Sequence, residues 1–283
     1  MTTPTELIMW EGSVRTLTYR EQLEATAEAG FDSLALTPAA FLTAINSGLG
    51  ATGVKKAADD RGIGLHLDTV TGWAPIRVPS GADDALVARF DFTVEQCLEL
   101  VDALDLRSLL AVAVFDHDTV PTDTLVRGFA DLCDAALTRE IPVNLEFMPF
   151  WGVPDLAAAW NIVERAQKPN SGLMLDTWHF AHSGQDLALL AGIDEDVTVN
   201  LQLADGFQAP DGADLVELTL HTRDLPGQGS LDLESVLEVV QKRRSVGTAG
   251  PEVFSDRLDT ESAQNAGRLL GASTRRALGI DGN

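Results

Sequence analysis

The chain has 283 residues, 45% apolar and 22% charged, values that exclude a disordered chain and suit one large core. Its length sits near that of a one-domain α/β barrel, roughly 250 residues. Forty-three acidic against twenty basic residues leave a formal net charge of −23, which repels phosphate backbones and anionic membrane surfaces and argues against nucleic-acid or membrane partners.

Short apolar runs alternate with longer amphipathic segments from end to end, the pattern that βα units produce. A strand is expected over Glu6–Met9, then a helix over Tyr19–Ala29, where Leu23 and Ala27 lie one turn apart and Gly30 provides the stop. Strands follow at Ser33–Leu36 and Gly64–Thr69. A helix over Thr93–Leu104 carries Val94, Cys97, Leu98, Val101 and Leu104 at spacings of three and four. A strand at Ser108–Phe115 and a helix-like stretch at Leu125–Arg139 lead to strands at Pro142–Phe147, Gly172–Asp176 and Thr198–Leu203. The segment around Ala209-Pro210-Asp211-Gly212 reads as an exposed loop. A helix over Leu231–Arg243 precedes the last strand, Gly250–Phe254. Near-continuous apolar strands of this kind are covered on both faces. Eight of them, with no linker and no Gly-x-Gly-x-x-Gly turn, predict a single-domain (β/α)₈ barrel over 1–283 rather than an open doubly wound sheet.

Cys97 and Cys133 both fall in helix-like stretches, so no disulfide framework is expected. The N-terminus lacks a basic-then-apolar leader, and no apolar run approaches about 18 residues, so a cytoplasmic location is expected.

Polar residues interrupt four strands near their C-terminal ends, where a barrel builds its active site. They are Glu146 in Val143-Asn144-Leu145-Glu146-Phe147, Asp176 after Leu173-Met174-Leu175, Gln202 in Val199-Asn200-Leu201-Gln202, and Glu252 in Pro251-Glu252-Val253-Phe254. Period two sets Asn144 with Glu146, and Asn200 with Gln202, opposite Leu145 and Leu201. Three acids and an amide converging on a buried volume need a cation. An all-oxygen set with three negative charges favours Mn²⁺ or Mg²⁺ over the metals that Cys and His select.

In this order the segments Asn144-Leu145-Glu146-Phe147-Met148-Pro149, Leu175-Asp176-Thr177-Trp178-His179-Phe180, Leu201-Gln202-Leu203-Ala204-Asp205, Arg223-Asp224-Leu225-Pro226-Gly227-Gln228-Gly229 and Glu252-Val253-Phe254-Ser255-Asp256 resemble the xylose isomerase-like TIM barrels. These are sugar phosphate isomerases and epimerases, with dehydroshikimate dehydratase-type members, and are related to endonuclease IV. The resemblance implies one divalent metal held by Glu146, Asp176, Gln202 and Glu252, and a substrate-oxygen contact from His179. It further implies that Glu146 and Glu252 form the acid–base pair on opposite sides of the substrate carbon. The third ligand is often His in the epimerases; Gln202 fits the dehydratase-type members instead. Endonuclease IV uses extra His ligands for a zinc cluster, and the spacing of His66, His117, His179, His182 and His221 does not supply them.

A cation in an open barrel mouth stabilises the enediolate left when a ketone loses its α-proton. Isomerisation or epimerisation of a sugar-like hydroxy-ketone is the leading expectation. The alternative is a lyase that dehydrates a keto-cyclitol or dehydroshikimate, or cleaves an oxidised glycoside by elimination; a non-catalytic ligand-binding barrel is a third reading. Elimination needs one more general acid, which His66 and Asp68, sharing a face of the third strand, would supply. Arg223, before the rigid Pro226-Gly227-Gln228-Gly229 turn, is expected to aim at a substrate carboxylate or phosphate, with His221 a weaker candidate. Trp10, Trp73, Phe150, Trp151 and Trp178 fall at or after strand ends, where aromatic walls exclude water. The expected partner is therefore a small sugar-like or cyclitol molecule, and a homo-oligomer is compatible with the sequence.

Overall fold

The computed structural model describes residues 2–244 and 246–280; Met1 and 281–283, which the sequence reading includes in the barrel, lie outside them. The eight strands are β1 (Glu6–Trp10), β2 (Ser33–Leu36), β3 (Gly64–Val70), β4 (Leu109–Ala111), β5 (Val143–Glu146), β6 (Ser171–Asp176), β7 (Thr198–Leu203) and β8 (Val246–Pro251). They close in sequence order into a parallel barrel with helices between them, the expected (β/α)₈ fold. Among the described residues no helix is long and apolar enough to cross a membrane.

The chain clusters into two compact units, one comprising Met1–Leu34, Arg61–Ile63 and Leu175–Asn283, the other Ala35–Asp60 and Gly64–Met174. In the first, β8 pairs with both β7 and β1. In the second, β3, β4 and β5 pair in turn, and β5 pairs with β6 over Ser171–Met174. The helices are amphipathic and capped by their own sequence. Thr93 and Gln96 form a reciprocal box at the start of helix Val94–Leu104, and the Asp155 and Ser262 side chains accept the amides of Ala158 and Asn265.

Two strands differ from the sequence expectation by more than one residue at an end, each for a local reason. The fourth is short, Leu109–Ala111, because the apolar run from Val112 to Phe115 leaves the ladder while staying buried. The eighth runs Val246–Pro251, so Glu252 stands just beyond its end rather than inside it. Both glycines of its Val-Gly-Thr-Ala-Gly-Pro sequence are forced by packing. A Cβ at Gly250 would collide with the Ile8 carbonyl, and one at Gly247 with the Asn200 amide oxygen.

Asn200 explains the second of these. Between Val199↔Val246 and Leu201↔Ala249 the register gains one residue on β8, a bulge, and Asn200 Oδ1 fills it by accepting from Thr248 N at 2.8 Å and Thr248 Oγ1 at 3.0 Å. A matching irregularity lies on β3 between Leu67↔Leu109 and Val70↔Ala111, where Thr69 adopts φ 60. A β-branched residue there is a true backbone outlier, and it stands directly after Asp68.

Helices Tyr19–Glu28 and Ala263–Leu278 pack backbone to backbone: Gly267 lies against the Ala25 carbonyl, and a Cβ at Gly271 would come within 2.6 Å of the Ala29 oxygen. Gly267→Val should therefore lower the unfolding free energy by about 1–3 kcal/mol through overpacking, read as a reduced urea midpoint. An unchanged midpoint would show that the two helices are not in such close contact.

Candidate metal centre and active site

Asp176 ends β6 and caps the helix that follows it: its Oδ1 accepts from His179 N at 2.9 Å, fixing the Asp-x-x-His spacing as one turn of helix Thr177–His182. Thr177, next in sequence, donates through Oγ1 to Ala204 O at 2.7 Å and accepts from Ala204 N at 2.9 Å. The end of β6 is thus latched to the end of β7, two residues past Gln202.

Arg223 is the largest departure from expectation. It is 1% exposed and makes five contacts with its five N–H groups. Nη1 donates to Asp176 Oδ2 at 2.6 Å and to Glu252 O at 2.9 Å. Nη2 reaches Thr219 Oγ1 at 2.7 Å and His179 Nε2 at 3.1 Å, and Nε donates to Thr219 Oγ1 at 3.1 Å. Its guanidinium lies 5.3 Å from the Trp178 ring and 5.2 Å from the Phe254 ring, and Glu252 Oε2 stands 3.6 Å from Nη1. The donors are consumed inside the chain, so the geometry gives Arg223 to the carboxylates and His179 rather than to a substrate anion.

The backbone around Arg223 is held as firmly. Thr222 bridges Ser255 and Asp224 bridges Asp205, both antiparallel, while Arg223 N donates to Phe254 O at 3.1 Å. The Asp205 carboxylate, 2% exposed, accepts from Gly206 N (2.8 Å), Gly227 N (3.1 Å) and Leu231 N (3.1 Å). Gly227 holds φ 79, and Gly229 lies against Gly206 and the Asp205 carboxylate, leaving no room for a side chain. The Pro-Gly-Gln-Gly segment is a stapled turn whose staple is Asp205. Sequence reasoning missed Asp205, Thr219 and Thr177. Only the acid three places after Gln202 carried any signal.

The arginine also decides the state of His179. A guanidinium always donates, so Nε2 accepts and the neutral ring carries its proton on Nδ1. Burial pushes the His179 pKa down to about 3, which agrees. For Asp176, burial alone would raise the pKa, but Arg223 and the His179 amide outweigh it and hold the carboxyl below its usual range.

Asp176 and His179 are both buried, and Glu146 is buried at the end of β5. An Nδ1-protonated ring with Nε2 engaged has no lone pair for a metal, whereas Gln202 is fully buried and neither its Oε1 nor its Nε2 has a hydrogen-bond partner among the described residues. An orphaned amide on the strand that adjoins the Asp176 and Glu252 strand ends is what a hard-cation site would leave in the protein alone. By the β7–β8 register Gln202 faces the same side as Gly250, and therefore as Glu252 two residues on.

The remaining expected site residues divide. Trp178, 1% exposed, stacks on His182 at 3.9 Å on one side and lies near Arg223, and Trp73 donates to Val112 O at 2.8 Å and packs edge-on against Phe129. These two are packing residues. Trp10 is buried at the end of β1 and its indole N–H has no partner among the described residues. His66 Nδ1 pairs with Ser108 Oγ at 2.7 Å, and Asp68 accepts the Thr69 hydroxyl at 2.8 Å, both buried. His221 lies on the surface with Asp256 and Glu217, and His117 Nε2 contacts Pro149 O. Phe150 and Trp151 pack edge to face and are half-buried.

A family model described as xylose isomerase-like TIM barrel matches residues 23–273, and the chain belongs to that family. A 3-dehydroshikimate dehydratase of Pseudomonas aeruginosa is 28% identical over 243 residues, 84% of this chain and 36% of the dehydratase. The chain thus spans about a third of the length of that curated relative. An inosose isomerase of Halalkalibacterium halodurans is 26% identical over 175 residues, 60% of this chain and 61% of the isomerase. The crystal structure of an IolI protein with a bound zinc atom superposes with a TM-score of 0.77 at 19% identity, covering 97% of this chain and 98% of that one.

Removing the Arg223 side chain as Arg223→Met should leave Asp176 buried without its cation and cost about 3–5 kcal/mol in urea unfolding. A stability profile should fall as pH drops from the ordinary His value of 6.5 towards about 3, because the unfolded chain takes up a proton at His179 that the folded one refuses. The His179 ring proton shift, followed by NMR, should stay flat from pH 8 to pH 5; titration near 6.5 would contradict the buried arrangement.

Proposed function

We propose that this chain, acting as one catalytic domain over 1–283 in a reducing cytoplasm, is a divalent-metal-dependent enzyme. It removes the proton α to the ketone of a cyclic polyhydroxy substrate and expels the β-hydroxyl as water. The observation that carries this reading is the buried, unpartnered amide of Gln202 beside acidic strand ends. Glu146, Asp176, Gln202 and Glu252 would hold the metal, Mn²⁺ or Mg²⁺ by the hardness of the donors. The cation would supply positive charge at the ketone oxygen, making the neighbouring C–H acidic.

The chain's residues do the rest. Glu146 and Glu252 are the proton-transfer pair, one taking the α-proton and the other positioned for the opposite face. His179, held neutral with its proton on Nδ1, donates to a substrate oxygen. Arg223 positions Asp176 and His179 without touching substrate. His66, oriented by Ser108, together with Asp68 at the strained end of β3, assists departure of the hydroxyl.

Elimination is preferred to isomerisation because the similarity to the dehydratase runs over 84% of this chain, against 60% for the isomerase. The isomerase reading keeps one supporting observation: the match covers 61% of the isomerase's own length but 36% of the dehydratase's. Incubating the Mn²⁺-loaded protein with 3-dehydroshikimate or an inosose in D₂O separates them by NMR. New alkene or aromatic signals indicate elimination, whereas deuterium uptake with all carbons and oxygens retained indicates isomerisation. Glu146→Gln should lower turnover at least about 100-fold and reduce bound metal. If Glu146→Gln and Gln202→Leu both keep full metal content and rate, the ligand assignment is wrong.

A further inference from the structure

Trp10 and Trp73 are both buried, 2% and 4% exposed, but only one has an internal use for its indole N–H. Trp73 donates to Val112 O at 2.8 Å. Trp10 Nε1 has no acceptor among the described residues. A buried donor left unmade costs as much free energy as a lost hydrogen bond, and Phe would fill most of the volume without it. Such a group is retained where an acceptor arrives from outside the chain.

The position supports this. β1 and β8 pair in parallel with Leu7 opposite Ala249, and three residues further on this register sets Trp10 at the level of Glu252. The two chain ends continue side by side. Ser13 Oγ donates to Pro251 O at 2.9 Å and accepts from Val253 N at 2.8 Å, while Gly12 lies against the Phe254 ring. The Pro251 carbonyl is thereby occupied by Ser13, and the Glu252 carbonyl by Arg223. Backbone acceptors nearby are in use, and an indole offers a donor only.

We infer that the Trp10 indole N–H is held in reserve for an acceptor oxygen of the substrate, a hydroxyl, carbonyl or carboxylate oxygen of an oxygenated ring. Trp10 is then a specificity residue as well as an apolar wall. The inference rests on the proposed function for its substrate class, but its free-state consequence does not.

The test pairs Trp10→Phe with Trp73→Phe in the full chain. Without substrate, both variants lose buried ring volume, so Trp10→Phe should lower the urea midpoint by less than Trp73→Phe, which in addition strands the Val112 carbonyl. With the Mn²⁺-loaded protein, Trp10→Phe should raise KM for whichever of 3-dehydroshikimate or inosose is turned over by about tenfold, with kcat changed less. In ¹⁵N-Trp spectra the Trp10 indole signal should move when that probe is added. Destabilisation of Trp10→Phe comparable to Trp73→Phe, or an unchanged KM, overturns the inference. If neither probe is turned over, the proposed function fails, while the unfolding comparison still decides whether the N–H lacks an internal partner.

Discussion

A guanidinium with almost no solvent exposure governs this active site. Moving such an ion out of water is costly, and it persists only when its charge and every N–H are matched. Arg223 meets that condition with one carboxylate, one backbone carbonyl, one imidazole nitrogen and one threonine hydroxyl, between two aromatic rings. Its satisfaction dictates the state of its neighbours. Asp176 must be ionised and oriented, and His179 must be neutral with its proton on the far nitrogen. A single buried cation thus organises both the charge and the tautomer of the residues proposed for chemistry.

That cation also bears on the balance of charge. In the proposed ligand set, three carboxylates around a divalent ion would leave a net negative site even when filled; with Arg223 included, the formal charges of three acids, one arginine and one divalent ion sum to zero. In the proposed site the amide of Gln202 would contribute an oxygen without further charge. An amide in that position would keep the proposed donor set hard, with His179 left to hydrogen bonding.

The barrel was legible in the sequence because its strands are buried on both faces and read as largely apolar runs. β2 and β7 match their expected bounds for that reason. β8 was shifted because its glycines answer to packing against Ile8 and Asn200, which lie far off in sequence. The acids at the strand ends were visible as polar interruptions of apolar runs. The role of Arg223 was not, since an arginine before a turn looks the same whether it faces a ligand or folds back under its own loop. Its direction is fixed by Thr219 one helical turn earlier and by the Thr222 and Asp224 bridges, contacts that composition does not announce. Trp73 was likewise indistinguishable from Trp10 as a letter, and only the fate of each indole N–H separates them.

The staple formed by Asp205 has an evolutionary reading. It grips the chain at Gly206, then at Gly227 and Leu231, and leaves the stretch between Phe207 and Asp214 largely exposed, with Phe207 itself 69% accessible. Insertions, deletions or recombination in that stretch can reshape the approach to the barrel while the stapled turn keeps Arg223 in place. A scaffold divided in this way can change which molecule it admits without rebuilding the apparatus that acts on it, and the mixture of dehydratases and isomerases among its relatives is the diversity such a division permits.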